Sequence, residues 1–399
     1  MSWREESNAD KDPFWKTWKG LALPRAETEA LEAEAKRRRE AADATREMEK
    51  IWEAAARQEE HTAAKTVPWG SDSPASTGKR MQVFDRAEAE GFESAMAPGD
   101  SDQKKRKEEL VKLLRRRGEY RRLATIPEDW RERLDEFAAR FPNVGEAIEF
   151  IRYAFALAEQ NDRVPRLMPL LLAGDPGVGK THFARSFPGF LRSGYTVVPI
   201  ETMQAGSALA GSQEYWTNTK PGIVFAQLIE RDWANPVVVL EELDKADVGY
   251  GYGDPRNALY QLFEPATARE FRDLSVPQVA IDASRIIWVA TANEPSHIPA
   301  PLLSRMRHFE VEAPTREQSQ TLARGIFADL RNALDIPNAF ADPSQAVIDR
   351  VAELTPRRIR QVLEEALGRA LYAGRSGLLV EDVRLPPEAA GGGRRVGFV

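Results

Sequence analysis

One short stretch of the sequence limits the possible folds more than any other feature. Residues 174–181 read GDPGVGKT and match the pattern G-x-x-x-x-G-K-[ST] at every fixed position. An apolar run over 167–173 precedes them, and apolar residues at helical spacing follow them (Phe183, Ala184 and Phe187). This order is typical of a strand, a phosphate-binding loop and a helix. A chance glycine-rich turn would lack the strand and the helix on either side.

The residue types in this loop suit the chemistry of a bound triphosphate. Glycines let the backbone turn tightly enough to aim successive N–H groups at phosphate oxygens. Lys180 adds a positive charge, the Thr181 hydroxyl can bind Mg²⁺, and the start of the helix favours an anion. The predicted nucleotide contacts are Asp175, Pro176, Gly177, Val178, Gly179, Lys180, Thr181 and His182.

Composition excludes several classes of protein. The 399 residues suffice for two or three folded units, and a net charge of −6 argues against general affinity for nucleic acids. Cysteine is absent, which excludes disulfides and thiolate metal sites and fits a reducing compartment. The N-terminus has no secretory pattern, and no apolar run approaches the length of a membrane helix. We expect a cytoplasmic protein that does not enter a membrane.

The first third of the chain differs from the rest. Residues 1–65 are rich in charge and predict an exposed helical extension, and residues 66–103 are rich in Ser, Pro, Gly and Asp and predict a disordered linker. Residues 104–140 predict a basic, helical connector. Its Lys and Arg runs between 104 and 122 would suit either a nucleic-acid contact or a solvated helix face.

Strand-like and helical patterns alternate in the remainder. Apolar runs at 195–200, 237–240, 286–290 and 308–311 lie between helical segments, which predicts a parallel sheet covered on both faces over residues 141–313. Residues 314–386 predict a small helical lid domain, with a short extended piece at 378–385. Residues 387–399 predict a flexible tail.

Polar side chains end two of the predicted strands. The run 237–242 is a buried strand that ends in Glu241 and Glu242, of which the first can reach a Mg²⁺ hydration shell and the second can orient or deprotonate water. The run 286–293, IIWVATAN, places Asn293 at the carboxyl end of another strand, where open α/β sheets bind ligands. Asn293 would contact the γ-phosphate or the attacking water; a turn-forming role is the alternative.

These elements, in this order, resemble an AAA+ ATPase, and four segments narrow the resemblance to the ATPase module of the Lon protease family. The segments are NPVVVLEELDK (235–245), GDPRNALYQLFEP (253–265), WVATANEPSHIPAPLLSRM (288–306) and LTPRRIRQVLEEAL (354–367). The similarity extends over roughly residues 140–385. The resemblance implies a P-loop AAA+ fold with a helical lid, ATP and Mg²⁺ as cofactors, and a homo-oligomeric ring, most often a hexamer.

The resemblance also implies roles for single residues. Lys180 and Thr181 would be the Walker A pair, and Glu241 and Glu242 would stand at the Walker B positions. Asn293 would be sensor 1. Arg305 would be the arginine finger that reaches a neighbouring subunit's phosphate, with Arg307 as the alternative. Arg357 would be sensor 2 on the lid, with Arg358 as the alternative.

One further pair resembles a substrate-gripping loop. Tyr215 and Trp216, in EYWTNTKPG, align with the aromatic and hydrophobic pore loop that grips unfolded polypeptide in this family. A buried aromatic pair is the alternative interpretation. The segment 247–254, DVGYGYGD, is a second candidate for a loop that faces the pore.

The sequence departs from the family in two respects. It carries no peptidase domain, so we expect an ATPase without protease activity of its own. Glu241 stands where the family has aspartate, and its additional methylene moves the carboxylate by about 1.5 Å. A displacement of about 1 Å can cost a hundredfold in rate, so slow hydrolysis is one expectation.

Two functions follow as hypotheses. The first is an ATP-driven ring, an unfoldase or chaperone, that remodels or threads protein substrates. The second is a slow ATP-dependent oligomeric switch or scaffold in a multi-protein system, with or without a link to nucleic acid. Turnover separates the two, because only the first requires sustained hydrolysis.

Overall fold

The computed structural model describes residues 78–94, 101–202, 207–212, 220–246, 254–336 and 340–385. The strands are β1 (Arg80–Gln82), β2 (Tyr120–Arg122), β3 (Leu170–Ala173), β4 (Tyr195–Pro199), β5 (Val237–Glu241), β6 (Phe271–Arg272), β7 (Ala280–Ile281), β8 (Ile287–Ala292) and β9 (Arg307–Glu310). The helices are α1 (Arg86–Ser94), α2 (Ser101–Arg117), α3 (Trp130–Arg140), α4 (Gly145–Glu159), α5 (Lys180–Leu191), α6 (Ser207–Ala210), α7 (Ile223–Phe225), α8 (Asn257–Leu262), α9 (Pro265–Ala268), α10 (Ala300–Leu303), α11 (Arg316–Ala333), α12 (Gln345–Val351) and α13 (Pro356–Tyr372).

A five-stranded parallel sheet forms the centre of the fold, with strand order β4-β5-β8-β3-β9. It contains all five strand-like runs that the sequence predicts, so the predicted parallel sheet is confirmed. The register aligns Ala173 with Ala292 and Glu310, so the carboxyl ends of β3, β8 and β9 lie at one edge. Ligands of open α/β sheets bind outside this edge.

Each central strand is buried on both faces because its residues alternate between two cores. In β5, Val237 and Val239 face one core, and Val238 and Leu240 face the other. The first core packs the sheet against α3, α4 and α5, and the second packs it against α1, α2, α7 and α8. This two-sided burial explains why the strands read as continuous apolar runs.

The structure differs from the predicted linker at residues 80–94. These residues form β1 and α1, and Val83 and Phe92 are buried in the second core. The strand β1 pairs antiparallel with β2, and Val83 O accepts a hydrogen bond from Asp282 N at 2.8 Å. Polar composition misleads here because a few apolar side chains fix a polar segment onto a distant core.

The basic connector divides into a helix and a strand. The helix α2 ends at Arg117, with three arginines in its last turn, where positive charge favours a helix C-terminus. The buried Arg121 of β2 donates to Leu228 O at 2.7 Å and to Ile229 O at 2.8 Å, in the π-helical turn Ala226–Glu230 that follows α7. Its burial lowers the pKa of Arg121 to about 10. Arg121, within the basic run, therefore contributes to the packing of the domain.

The helical character of the lid is confirmed by α11, α12 and α13, which enclose a separate core. A capping box begins α11: the Thr315 hydroxyl accepts from Gln318 N, and the Gln318 side chain accepts from Thr315 N at 2.9 Å. The prediction of an extended piece at 378–385 is wrong, because Val380–Asp382 forms a 3₁₀ turn. Asp382 accepts from Leu379 N and from both Arg375 Nη atoms, which draws the chain into a turn.

Within the described ranges, every helix is too short or too polar to cross the hydrocarbon core of a bilayer.

Candidate nucleotide-binding site

The loop between β3 and α5 has the backbone that its glycines predict. Gly174 has φ +142° and Gly179 has φ +110°, which are conformations that side chains disfavour. A Cβ at Gly174 would lie 2.3 Å from Val311 O, so the loop can leave the sheet beside β9 only with glycine there. The loop therefore leads directly into α5, and Lys180 is the first residue of this helix.

Lys180 links the loop to the end of β8. Its buried ammonium donates to Gly174 O at 2.6 Å, to Asp175 O at 2.8 Å and to Asn293 Oδ1 at 3.0 Å. Burial lowers the pKa of Lys180, while the nearby carboxylate of Asp244 acts in the opposite direction. Two residues that the sequence singled out separately are thus in direct contact.

A cavity of about 490 Å³ lies between this loop and the lid, within the range that binds nucleotide-sized ligands. Ten of the predicted site residues line it: Pro176, Gly177, Val178, Gly179, Lys180, Thr181, His182, Glu242, Asn293 and Arg357. From the lid, apolar Leu322 and Ile326 also line it. The cavity thus combines phosphate-binding groups with apolar surface.

Several cavity residues were not predicted from the sequence. Arg140 Nη2, at the end of α3, lies 3.2 Å from Asp329 Oδ2 on α11, so an ion pair joins the large domain to the lid. His182 Nε2 lies 3.9 Å from the same carboxylate oxygen, and its ring is 5.3 Å from that of Phe141. Burial lowers the pKa of His182. No local pattern marks Arg140 or Asp329, because their contact joins distant parts of the chain, whereas His182 belongs to the predicted loop contacts.

Glu242 begins a strained turn at the end of β5. Its φ of +54° and ψ of +50° are unusual for a residue with a side chain, and its N–H donates to Thr291 Oγ1 at 3.2 Å. The side chain lines the cavity and contacts Glu201, which follows β4 and was not predicted. Their hydrogen bond raises the pKa of Glu201 and lowers the pKa of Glu242. Of the two carboxyl groups, Glu242 is therefore the one that ionises more readily.

Glu241 faces the helix α5. Its Oε1 accepts from Arg185 Nε at 2.6 Å, and its Oε2 accepts from Arg185 Nη2 at 2.7 Å. The Glu241 side chain is only 12% exposed, whereas that of Arg185 is 56% exposed. The carboxylate that the sequence assigns to the metal is therefore held by a guanidinium in this structure.

Asp244 is a third acid that sequence reasoning missed, although it stands in the same LEELDK run. It is buried, and its Oδ2 accepts from Asn293 N at 3.1 Å and from Glu294 N at 2.9 Å. The side chain thus fastens the turn after β5 to the end of β8. It determines where Asn293 meets Lys180.

The donors beside the loop suit Mg²⁺ bound together with phosphates. Glu242 Oε2 and Asp244 Oδ1 are buried oxygens without a hydrogen-bond partner among the described residues, although Lys245 Nζ lies 3.4 Å from the former. The described residues contain no group of three or more acidic or histidine side chains that could hold a metal ion alone. Magnesium in such sites takes one or two carboxylates, phosphate oxygens and waters. The residues therefore fit a metal that enters with the nucleotide, which Thr181 and a carboxylate at the end of β5 would hold.

The four predicted arginines have different positions. Arg357 lines the cavity, and its N–H donates to Gly177 O at 3.4 Å; Arg358 faces the adjoining cleft. Arg305 is not a cavity residue: its Nη1 donates to Pro301 O at 2.6 Å, and its buried Nε lies 4.0 Å from Glu264 Oε2. Arg307 stacks over Phe309 at 5.6 Å. Of these four arginines, only the two on the lid lie close to this chain's own loop.

Tyr215 and Trp216 lie outside the described residues, as does most of 247–254. The base of the first segment is described. Ser212 N donates to Lys220 O at 3.0 Å, and Lys220 N donates to Ser212 Oγ at 2.7 Å. Next to it, Gly222 N donates to the buried Asp273 Oδ2 at 2.8 Å. Residues 212 and 220 therefore lie side by side. Burial raises the pKa of Asp273.

Comparison with known proteins defines the class to which this site belongs. Residues 170–313 match the family model described as "ATPase family associated with various cellular activities (AAA)". The chain thus contains a P-loop AAA+ module, in agreement with the sheet, the loop and the helical lid.

Within this class, the module resembles the ATPase module of Lon proteases. It is 35% identical over 165 residues to Lon protease 2 of Thermus thermophilus, which covers 41% of this chain and 20% of that protein. It is 30% identical over 228 residues to the mitochondrial Lon protease homolog of Mus musculus, which covers 55% of this chain and 23% of that protein. The chain spans about a fifth of the length of these relatives. A structure of a Thermotoga maritima RuvB mutant aligns over 63% of this chain and 70% of its own, at 17% identity and a TM-score of 0.42.

Proposed function

We propose that this chain binds ATP with Mg²⁺ in the cavity beside Lys180 and hydrolyses it as a ring oligomer, in order to remodel or thread protein substrates. The contact between Lys180 Nζ and Asn293 Oδ1, at 3.0 Å, carries the proposal. It joins a phosphate-binding loop to a polar group at the end of the central sheet, and the lid's Arg357 lines the same cavity. The match to AAA+ ATPases supports it.

Several residues in and beside the cavity have a definite task in this proposal. The loop N–H groups and Lys180 bind the phosphates, and Thr181 and Glu241 would hold Mg²⁺, which neutralises charge on the transferred phosphoryl group. Glu242 accepts a proton from the attacking water, for which its lowered pKa and its neighbour Glu201 keep it ionised. Asn293 orients that water, and Arg357 binds phosphate from the lid.

Replacement of Lys180 tests the core of this proposal. Lys180→Ala removes the charge that contacts the phosphates, so ATP turnover should fall by at least a hundredfold, on the order of other electrostatic contributions to catalysis. Lys79→Ala, an exposed lysine on the same domain, is the matched control. Equal turnover in the wild type and Lys180→Ala would contradict the proposal.

Arg305 is proposed to act in a neighbouring subunit. Its position outside this chain's own cavity supports this role, because a guanidinium supplied by a neighbour makes hydrolysis depend on assembly. Mixing Arg305→Ala with Lys180→Ala is a direct test. Each variant should be inactive alone, but mixed rings would contain intact sites that face intact arginines, so activity should return. If the mixture stays inactive while mixed oligomers form, the ring proposal is wrong.

Tyr215 and Trp216 are proposed to grip the substrate. The hydrogen bonds between Ser212 and Lys220 support this proposal, since they hold the two residues on either side of this segment next to each other. Tyr215→Ala should abolish ATP-driven unfolding of a tagged substrate and leave basal hydrolysis intact. Intact unfolding would exclude the gripping role. Incubation with an unfolded protein, followed by electrophoresis, tests the prediction that this chain does not itself cleave protein.

A second function is favoured by the pairing of Glu241 with Arg185. A metal-facing carboxylate held by a guanidinium would slow hydrolysis, and the chain would then act as an ATP-dependent oligomeric switch or scaffold. Assembly that follows ATP binding without sustained phosphate release would support this function. Salt-dependent binding to duplex DNA would test whether the basic residues 104–122 contribute.

A further inference from the structure

Arg185 lies on the same face of α5 as Thr181. The two residues are four apart on one helix, so their side chains leave it in the same direction. Both also line the nucleotide cavity, and Glu241 lies across from them at the end of β5. A cationic side chain therefore contacts the predicted carboxylate ligand of Mg²⁺ and lies one helical turn from the predicted hydroxyl ligand.

The geometry of this pair leaves little of the carboxylate available. Arg185 donates from Nε and Nη2 in two parallel bonds of 2.6 and 2.7 Å, one to each oxygen of Glu241. Such a fork is the strongest arrangement that arginine and carboxylate form. Because Glu241 is only 12% exposed, few other directions of approach to its oxygens are open.

We propose that Arg185 competes with Mg²⁺ for the Glu241 carboxylate, so that the metal is bound fully only after Arg185 releases Glu241. A guanidinium and a divalent cation repel each other strongly at such short range, and the partly buried site screens them incompletely. Arg185 is more than half exposed, so its head group can move into solvent at modest cost. Arg185 is thus a positioning residue that sets how tightly nucleotide binding and Mg²⁺ binding are coupled. This inference rests on the proposed function, since it assumes that the cavity binds nucleotide.

Calorimetric titration of ADP, with and without Mg²⁺, measures this coupling as the ratio of two dissociation constants. Arg185→Gln removes the competitor, so the coupling should rise by about fivefold or more, which corresponds to the upper range for a partly exposed pair. Arg185→Lys keeps the charge without the fork and should give a smaller rise. Arg192→Gln removes an exposed arginine at the end of the same helix and should leave the coupling unchanged.

The Glu241→Gln background shows whether the effect passes through Glu241. If Arg185 acts by competition, Arg185→Gln should change nothing once Glu241 is neutral. The inference is overturned if Arg185→Gln leaves the coupling unchanged or lowers it, or if its effect persists in Glu241→Gln, which would indicate a general effect of positive charge. If wild-type protein and Lys180→Ala bind ADP equally, the proposed function fails as well, and the inference with it.

Discussion

The Asn293 amide oxygen lies 3.0 Å from the Lys180 ammonium, although 113 residues separate the two along the chain. The contact joins the first turn of α5 to the end of β8, and it places the polar end of the sheet against the phosphate-binding loop. A phosphate that binds this loop would meet both groups at once. Any movement of β8 relative to the loop would therefore alter the charge environment of the phosphates.

The first prediction concerns Asn293. Asn293→Ala removes a polar group at the reacting end of the cavity and leaves Lys180 with two carbonyl partners. ATP turnover should fall by about tenfold or more, while ADP affinity should change by less than about threefold, because the loop remains intact. Steady-state phosphate release and ADP calorimetry measure the two effects. Asn161→Ala, at an exposed helix end, serves as control; an equal loss in both variants would contradict a site role for Asn293.

The second prediction concerns Asp244. Asp244→Ala leaves the N–H groups of Asn293 and Glu294 without their shared acceptor. An unsatisfied buried donor costs about 1–3 kcal/mol, and these two bonds are only partly buried, so the free energy of unfolding should fall by about 2 kcal/mol in total. Denaturant unfolding measures it. The Asp342 side chain is 78% exposed, so the control Asp342→Ala should lower the free energy of unfolding by less than about 1 kcal/mol. An equal loss in both variants would show that the hydrogen bonds of Asp244 do not stabilise the fold.

The third prediction concerns the ion pair between Arg140 and Asp329, which links α3 to the lid beside the cavity. Arg140→Glu places two carboxylates opposite each other and should open the lid, weakening ADP binding by up to about fivefold. The double variant Arg140→Glu/Asp329→Arg should recover most of this loss. Arg316→Glu, which reverses one partner of an exposed pair outside the cavity, should leave affinity unchanged. Failure of the double variant to recover would exclude the pair as a link between the domains.

The fourth prediction concerns pH. The Arg375 guanidinium lowers the pKa of Asp382 from its ordinary value of 3.8 to about 2. A carboxyl group with a depressed pKa stabilises the fold above its unfolded pKa, and this stabilisation is lost as the pH falls through the folded pKa. Wild-type protein should therefore lose stability between about pH 4 and pH 2, and Asp382→Asn should show a smaller loss over this window. Denaturant unfolding at several pH values measures the difference, and parallel curves would contradict the assignment.

The parts of the fold that could be predicted from the sequence are those with a local signal. The loop 174–181 and the five strands each consist of adjacent residues whose order alone predicts their structure, and the fold class followed from them. Asn293 was found because it ends an apolar run. The roles of Glu242, Arg305, Tyr215 and the other site residues stay predictions until the variants are measured.

Contacts between residues far apart in the chain could not be predicted from the sequence. Arg185 and Glu241 are 56 residues apart, and Asp244 and Asn293 are 49 apart, so neither pair has a sequence signal. The same holds for the turn at Val380–Asp382, which an ion pair stabilises within a segment that otherwise reads as extended.

The burial of Val83, Phe84 and Phe92 has a practical consequence for any attempt to isolate the ATPase module. A fragment that begins at Leu170, where the family match begins, would expose the core surface that α1 and α2 cover. It would also lose Arg121, which donates to Leu228 O. Such a fragment should aggregate for reasons unrelated to its chemistry. The smallest unit that can be expected to stay monodisperse starts before Lys79, and deletions intended to remove only the polar N-terminal region should stop there.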